Sequence, residues 1–150
     1  MNKHAILASF LAIPLAVAAC SGTGGAPAPA SSGTASSSSA GATQTSEGGQ
    51  VTVVASWSGP AAGATFDVKL DTHSVDLDAL DLANVVLRND RGESLGARPW
   101  AAPKGGHHRE GALSFDGDAS SFFASAKWIE LIIAGVGEIP ERTLRWAIGS

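Results

Sequence analysis

From residue 51 onward, apolar and polar side chains alternate in short runs. Val51, Val53, Ala55 and Trp57 occupy every second position, the period of a strand with one face buried. Gly59-Pro60 and Gly63 mark the turn that ends it. Phe66, Val68 and Leu70 then alternate with Asp67, Lys69 and Asp71, the clearest period of two in the chain and a second strand. Val75, Leu77, Leu80 and Leu82 mix periods and read as a connector. Val85 to Leu87 predicts a short strand stopped by the turn residues Asn89-Asp90-Arg91-Gly92, with residues 94–97 pairing back. Residues 99–111, PWAAPKGGHHREG, form a loop by composition. Leu113 and Phe115 resume the alternation, Asp116-Gly117-Asp118 turns, and Phe122 and Phe123 either pack a loop or begin an edge strand. Trp128 to Ala134 is hydrophobic enough for a central strand, closed by Gly135, Gly137 and Pro140, before Leu144, Trp146 and Ile148 supply a terminal strand.

This pattern predicts six to seven short strands and no long amphipathic helix. An all-β fold follows, a small antiparallel β-sandwich of immunoglobulin-like type, with a small open barrel as the alternative. The Cys–Trp–Cys arrangement of antibody domains is missing, so the immunoglobulin-like expectation rests on strand count. Gly135-Val136-Gly137 lacks the third glycine and the following helix of a dinucleotide fingerprint and reads as a hairpin turn.

The first 48 residues behave differently. Lys3 and His4 precede a nearly continuous apolar run from Ala5 to Ala19, too short to cross a bilayer and followed by no stop-transfer charges, so residues 1–19 read as an export signal. Val17-Ala18-Ala19-Cys20 resembles the lipobox of bacterial lipoproteins. That resemblance implies lipidation of Cys20, which becomes the mature N-terminus and attaches the protein to a membrane. Ser21 is closer to the outer-membrane type than to the Asp-bearing inner-membrane type. The ordinary alternative is a secreted chain cut near Ala-X-Ala, with Cys20 a free thiol. Residues 20–48 carry Ser, Gly, Ala, Thr and Pro with almost no large apolar side chain; such composition cannot bury enough area to offset chain ordering and predicts a flexible tether. The folded domain is therefore expected at 49–150, enough for one small core and too little for a two-domain cofactor enzyme.

Charge and cysteine count narrow the chemistry. The chain holds 10 Lys and Arg against 14 Asp and Glu, a net charge of −4, and loss of Lys3 with the signal makes it −5. Such a surface is poorly suited to a phosphate backbone, so no nucleic-acid partner is expected. With Cys20 the single cysteine there is no intrachain disulfide.

Histidine forms the one dense constellation. His73 lies in DTHSVDLDALD, and His107 and His108 in KGGHHREG. Neutral imidazole is the commonest protein metal ligand, and three can occupy three corners of a zinc or copper(II) site. If the two loops leave the sandwich at the same edge, the three rings can meet. In an extended backbone His107 and His108 point to opposite faces, and the bend they need is eased by Gly105 and Gly106. Among the flanking acids Asp71, Asp76, Asp78 and Asp81, Asp76 is the expected fourth ligand or supporting acceptor. Without a spacing that matches an EF-hand, calcium is disfavoured. Arg109 is expected to fix a carboxylate or to close the loop against Asp76 or Asp78, and Glu110 is a competing oxygen ligand. Trp100 and Trp146 read first as packing residues and second as a ligand platform.

Catalysis has little support. Ser74 beside His73 does not make a nucleophile, because base, orienting acid and oxyanion site must meet in space. A zinc-bound water is a minor hydrolytic possibility. Lipobox, tether and small β domain together resemble small bacterial envelope lipoproteins. Periplasmic copper-handling proteins are similar in outline, but the only methionine here is Met1, which points to His and oxygen ligation of zinc or copper(II). The expectation is a noncatalytic metal-binding lipoprotein of the cell envelope, at the outer membrane. The alternative is an envelope module that meets a protein, peptide or glycan through Trp100 and the Gly-rich loop.

Overall fold

The computed structural model describes residues 38–39 and 41–148. The expected signal, the lipobox-like segment with Cys20 and most of the expected tether lie outside the described residues. Two sheets face each other: an all-β sandwich, as the alternation predicts. The strands are β1 (Ser38–Ser39), β2 (Thr43–Ser46), β3 (Val51–Ser56), β4 (Thr65–Thr72), β5 (Val86–Asn89), β6 (Ser94–Gly96), β7 (His108–Ser114), β8 (Trp128–Val136) and β9 (Ile139–Ala147). One sheet runs β1-β9-β8-β5-β6 and the other β2-β3-β4-β7. All pairings are antiparallel except the two-residue β1, which lies parallel to β9.

Nine strands among the described residues exceed the six to seven expected, and two of them, β1 and β2, precede residue 49. Thr43–Ser46 pairs with Val53–Ser56, so the folded chain begins before residue 49. A polar edge strand needs only backbone partners, and composition cannot reveal those. Phe122 and Phe123 belong to neither an edge strand nor a loop. They are buried on a short helix, α1 (Ala119–Phe123), capped by the Asp118 carboxylate accepting from the amides of Ser120 and Ser121. Gly137 closes the β8–β9 hairpin with φ +65, and a Cβ there would lie 2.2 Å from Gly49 O, so the turn requires glycine.

The inward faces carry the expected side chains. Val51, Val53, Ala55, Phe66, Val68, Leu70 and Leu113 from one sheet meet Leu87, Ile129, Leu131, Ile133, Leu144 and Trp146 from the other, all essentially excluded from solvent. Strand direction defines two poles. β3 begins, β4 ends and β7 begins at one pole, where the β8–β9 turn also lies. The opposite pole holds the end of β9, its partner β1 and an aromatic cluster. Phe66 packs there against Trp57, Phe115 and Trp146 at centroid separations of 5.7, 5.8 and 5.2 Å.

Candidate functional site

The two histidine segments do leave the sandwich together. Asp71 and His108 are register partners in β4–β7, and one step further the Thr72 amide donates to His107 O at 2.9 Å. His73, the next residue, therefore stands beside His107 and His108 at the strand ends. All three are exposed.

Their side chains have different surroundings. His108 Nδ1 bonds Asp71 Oδ1, while no hydrogen bond or ion pair engages the rings of His73 or His107 among the described residues. Burial pushes the Asp71 carboxyl up, but the His108 bond and the Lys69 ammonium outweigh it and hold the group below the ordinary aspartate value. Among the described residues no hydrogen bond or ion pair joins Asp76 to a histidine. Its Oδ1 accepts from the Asp78 amide at 2.8 Å, a local turn, and Asp78 Oδ1 in turn accepts from the Gly105 amide at 2.7 Å. The acid in contact with an imidazole is Asp71. Among the described residues, no three His, Cys, Asp or Glu side chains are gathered into a ready metal cage.

Among the described residues Arg109 pairs with no carboxylate, contrary to the sequence expectation. It is 2% exposed and donates to four carbonyls: Pro103 at 3.0 Å, Leu77 at 2.6 Å, Ala102 at 2.9 Å, and Leu80. Its guanidinium also lies 4.8 Å from the Trp100 ring centre. The cause is strand parity: Arg109 shares the inward face with Leu113 and Phe115, where the carbonyls of the two folded-over loops accept its bonds. Trp100 is a packing residue, its indole donating to Gly111 O at 3.0 Å, and Trp146 is fully buried. Gly111 makes the overlay possible, since a Cβ there would meet Ala102 Cβ at 3.0 Å. Glu110 is exposed, opposite Lys69 across the strands.

Other polar residues complete this pole. Thr72 Oγ1 donates to Gln50 O at 2.6 Å and accepts from the amides of Ser74 and Val75, a local turn that fixes the chain around His73. Ser74 Oγ donates to Gln50 Oε1 at 2.5 Å, so its proton is committed to a structural contact. Arg142, which sequence reasoning did not single out, is 2% exposed and donates to the carbonyls of Ser46, Gly48, Val51 and Val136. Burial pushes its guanidinium down from the usual value. A signal existed: Arg142, Leu144 and Trp146 share one parity, which turns all three inward.

Among the described residues no helix is long and apolar enough to cross a membrane. Compared with protein-family models, with curated proteins and with solved structures, the chain matches none of them.

Proposed function

We propose that this protein is a noncatalytic, lipid-anchored module of the bacterial cell envelope that captures zinc or copper(II) at its histidine pole, through His73, His107 and His108. The observation that carries the reading is the backbone bond from Thr72 to His107 beside the Asp71–His108 register pair. It supports the reading because the backbones of the described histidines leave the sandwich at neighbouring strand ends. Among the described residues two of the three rings have no hydrogen-bond or ion-pair partner and can turn toward an ion without breaking such a bond. Exposed Glu47, Asp76 and Glu138 lie on turns at the same pole, and their charge favours a cation.

The tether geometry suits capture. The chain enters the sandwich at Ser38, beside Trp146, whereas the histidines lie at the other end of β9, roughly 26 Å away at about 3.3 Å per residue. The 18 residues from Cys20 to Ser38 add a reach of up to roughly 60 Å.

The second reading, a module for an envelope protein, peptide or glycan, is favoured by Arg109. Its four carbonyl bonds hold the two exposed loops in one shape, as a recognition surface requires. Metal analysis of the purified protein, followed by zinc and copper(II) titration of wild type and a His73/His107/His108 triple alanine variant, separates the two. Metal capture predicts stoichiometric binding that the triple variant loses. Absence of metal, with equally weak binding in both proteins, leaves the recognition surface.

A further inference from the structure

We infer that Asp71 is the positioning residue of this metal centre and that it presents His108 to the ion through Nε2; the inference rests on the metal reading above. Asp71 and His108 face each other across β4–β7. The next pair, Thr72 and His107, is joined through its backbone. Antiparallel pairs alternate, so Asp71 and His108 form a non-hydrogen-bonded pair, the kind in which opposed side chains approach most closely.

The contact decides which ring nitrogen is available. Asp71 Oδ1 bonds His108 Nδ1, and an ionised carboxylate can only accept. Nδ1 therefore carries the proton, and in a neutral imidazole the lone pair is left on Nε2. Asp71 is itself held, because Lys69 Nζ lies 3.4 Å from its second oxygen. The Asp71 side chain is 27% exposed and that of His108 65%, so the carboxylate grips the inner edge of a ring whose outer edge meets solvent. A carboxylate behind a histidine in this way fixes the tautomer and raises the basicity of the ligating nitrogen. As a surface contact alone, the pair would contribute little to stability.

The test uses the full-length chain in detergent micelles, with long-range proton–nitrogen NMR of the imidazoles at pH 8 and zinc alone as the probe. His108 is expected as the Nδ1–H tautomer before zinc is added, while His73 and His107 show the Nε2–H form favoured in water. Zinc should then shift His108 Nε2. Asp71→Ala should return His108 to the Nε2–H form and weaken zinc binding about 10- to 100-fold. Asp71→Asn, which keeps the shape and a weaker acceptor, should fall between, and unchanged amide spectra away from β4 and β7 will show that both variants fold. An Nε2–H tautomer for His108 in the wild type overturns the inference. So does zinc binding that Asp71→Ala leaves unchanged, although the metal reading then survives. An Nδ1–H tautomer in a protein that binds no zinc overturns the metal reading, and with it the metal role of Asp71.

Discussion

The two poles of the sandwich are closed by opposite means. At the pole where the chain enters, Trp57, Phe66, Phe115, Phe123 and Trp146 stack against one another, and burial of apolar area holds the end shut. At the histidine pole two buried guanidiniums, Arg109 and Arg142, fill the gap between the sheets and bind backbone carbonyls. Aromatic packing is tolerant of which loops surround it. A guanidinium fork has fixed directions, so it specifies the shape of the loops that it holds. The difference assigns stability chiefly to one end and shape to the other, and the candidate site sits at the end where shape is specified.

The largest test of this contrast is Trp146→Ala, which removes a fully buried indole from the aromatic pole. It should cost about 3–5 kcal/mol of global stability, read as a lower urea midpoint, with the whole domain losing hydrogen-exchange protection together. Arg109→Met should cost less, about 2–4 kcal/mol, because the carbonyls of Leu77, Leu80, Ala102 and Pro103 lose a charged donor that water only partly replaces. Its exchange signature should be local, with residues 73–82 and 99–107 opening while β8 and β9 stay protected. Equal loss of protection everywhere would abolish the distinction between the poles.

Glycine substitutions sharpen it further. Gly111→Ala should cost about 1–3 kcal/mol by overpacking Ala102 under the Arg109 overlay. Gly105→Ala should cost about 1 kcal/mol, because that site has φ +108 but nothing within 4 Å of a new Cβ. Thermal unfolding of the two single variants measures the order.

The smallest effect concerns the outer face of the other sheet. Glu130, 3% exposed, is register partner of both Arg88 and Arg145 and accepts from each, at 3.2 Å from Arg88 Nε and 2.9 Å from Arg145 Nε. Burial pushes its carboxyl up, but the two arginines outweigh this and hold it below the ordinary glutamate value. A carboxyl whose folded value is depressed stabilises the fold fully above its unfolded value, and that contribution is lost as pH falls through the folded one. Both arginines are partly exposed, so Glu130→Gln should cost only about 1 kcal/mol at neutral pH. It should flatten the acid limb of a stability–pH curve below about pH 4.5 and leave the histidine pole untouched.

Several features were legible because they are local. The alternation of Phe66, Val68 and Leu70 marked β4, and Asn89-Asp90-Arg91-Gly92 marked the turn after β5, where Gly92 N donates to Asn89 O at 3.1 Å. The hairpin at Gly137 and the bend at Gly105 and Gly106 followed from backbone freedom alone. Less visible was β2, whose Thr-Gln-Thr-Ser is held by backbone pairing to β3. Arg109 falls in a stretch, residues 99–111, with the composition of a loop, whereas from His108 onward the chain forms β7 and Arg109 shares the inward parity of Leu113.

By itself, the sequence determined the β class, the position of most turns and the presence of an aspartate-rich loop with His73 and a glycine-rich loop with His107 and His108. Each of these depends on neighbours a few residues apart. Only the tertiary structure decided that β4 and β7 are partners, and with that which acid meets which histidine. Asp71 and Asp76 both flank His73 in the chain, yet Asp71 bonds His108, because register brings together residues that lie 37 positions apart. Pairing across a sheet is fixed by the packing of all its strands, and no local pattern encodes it.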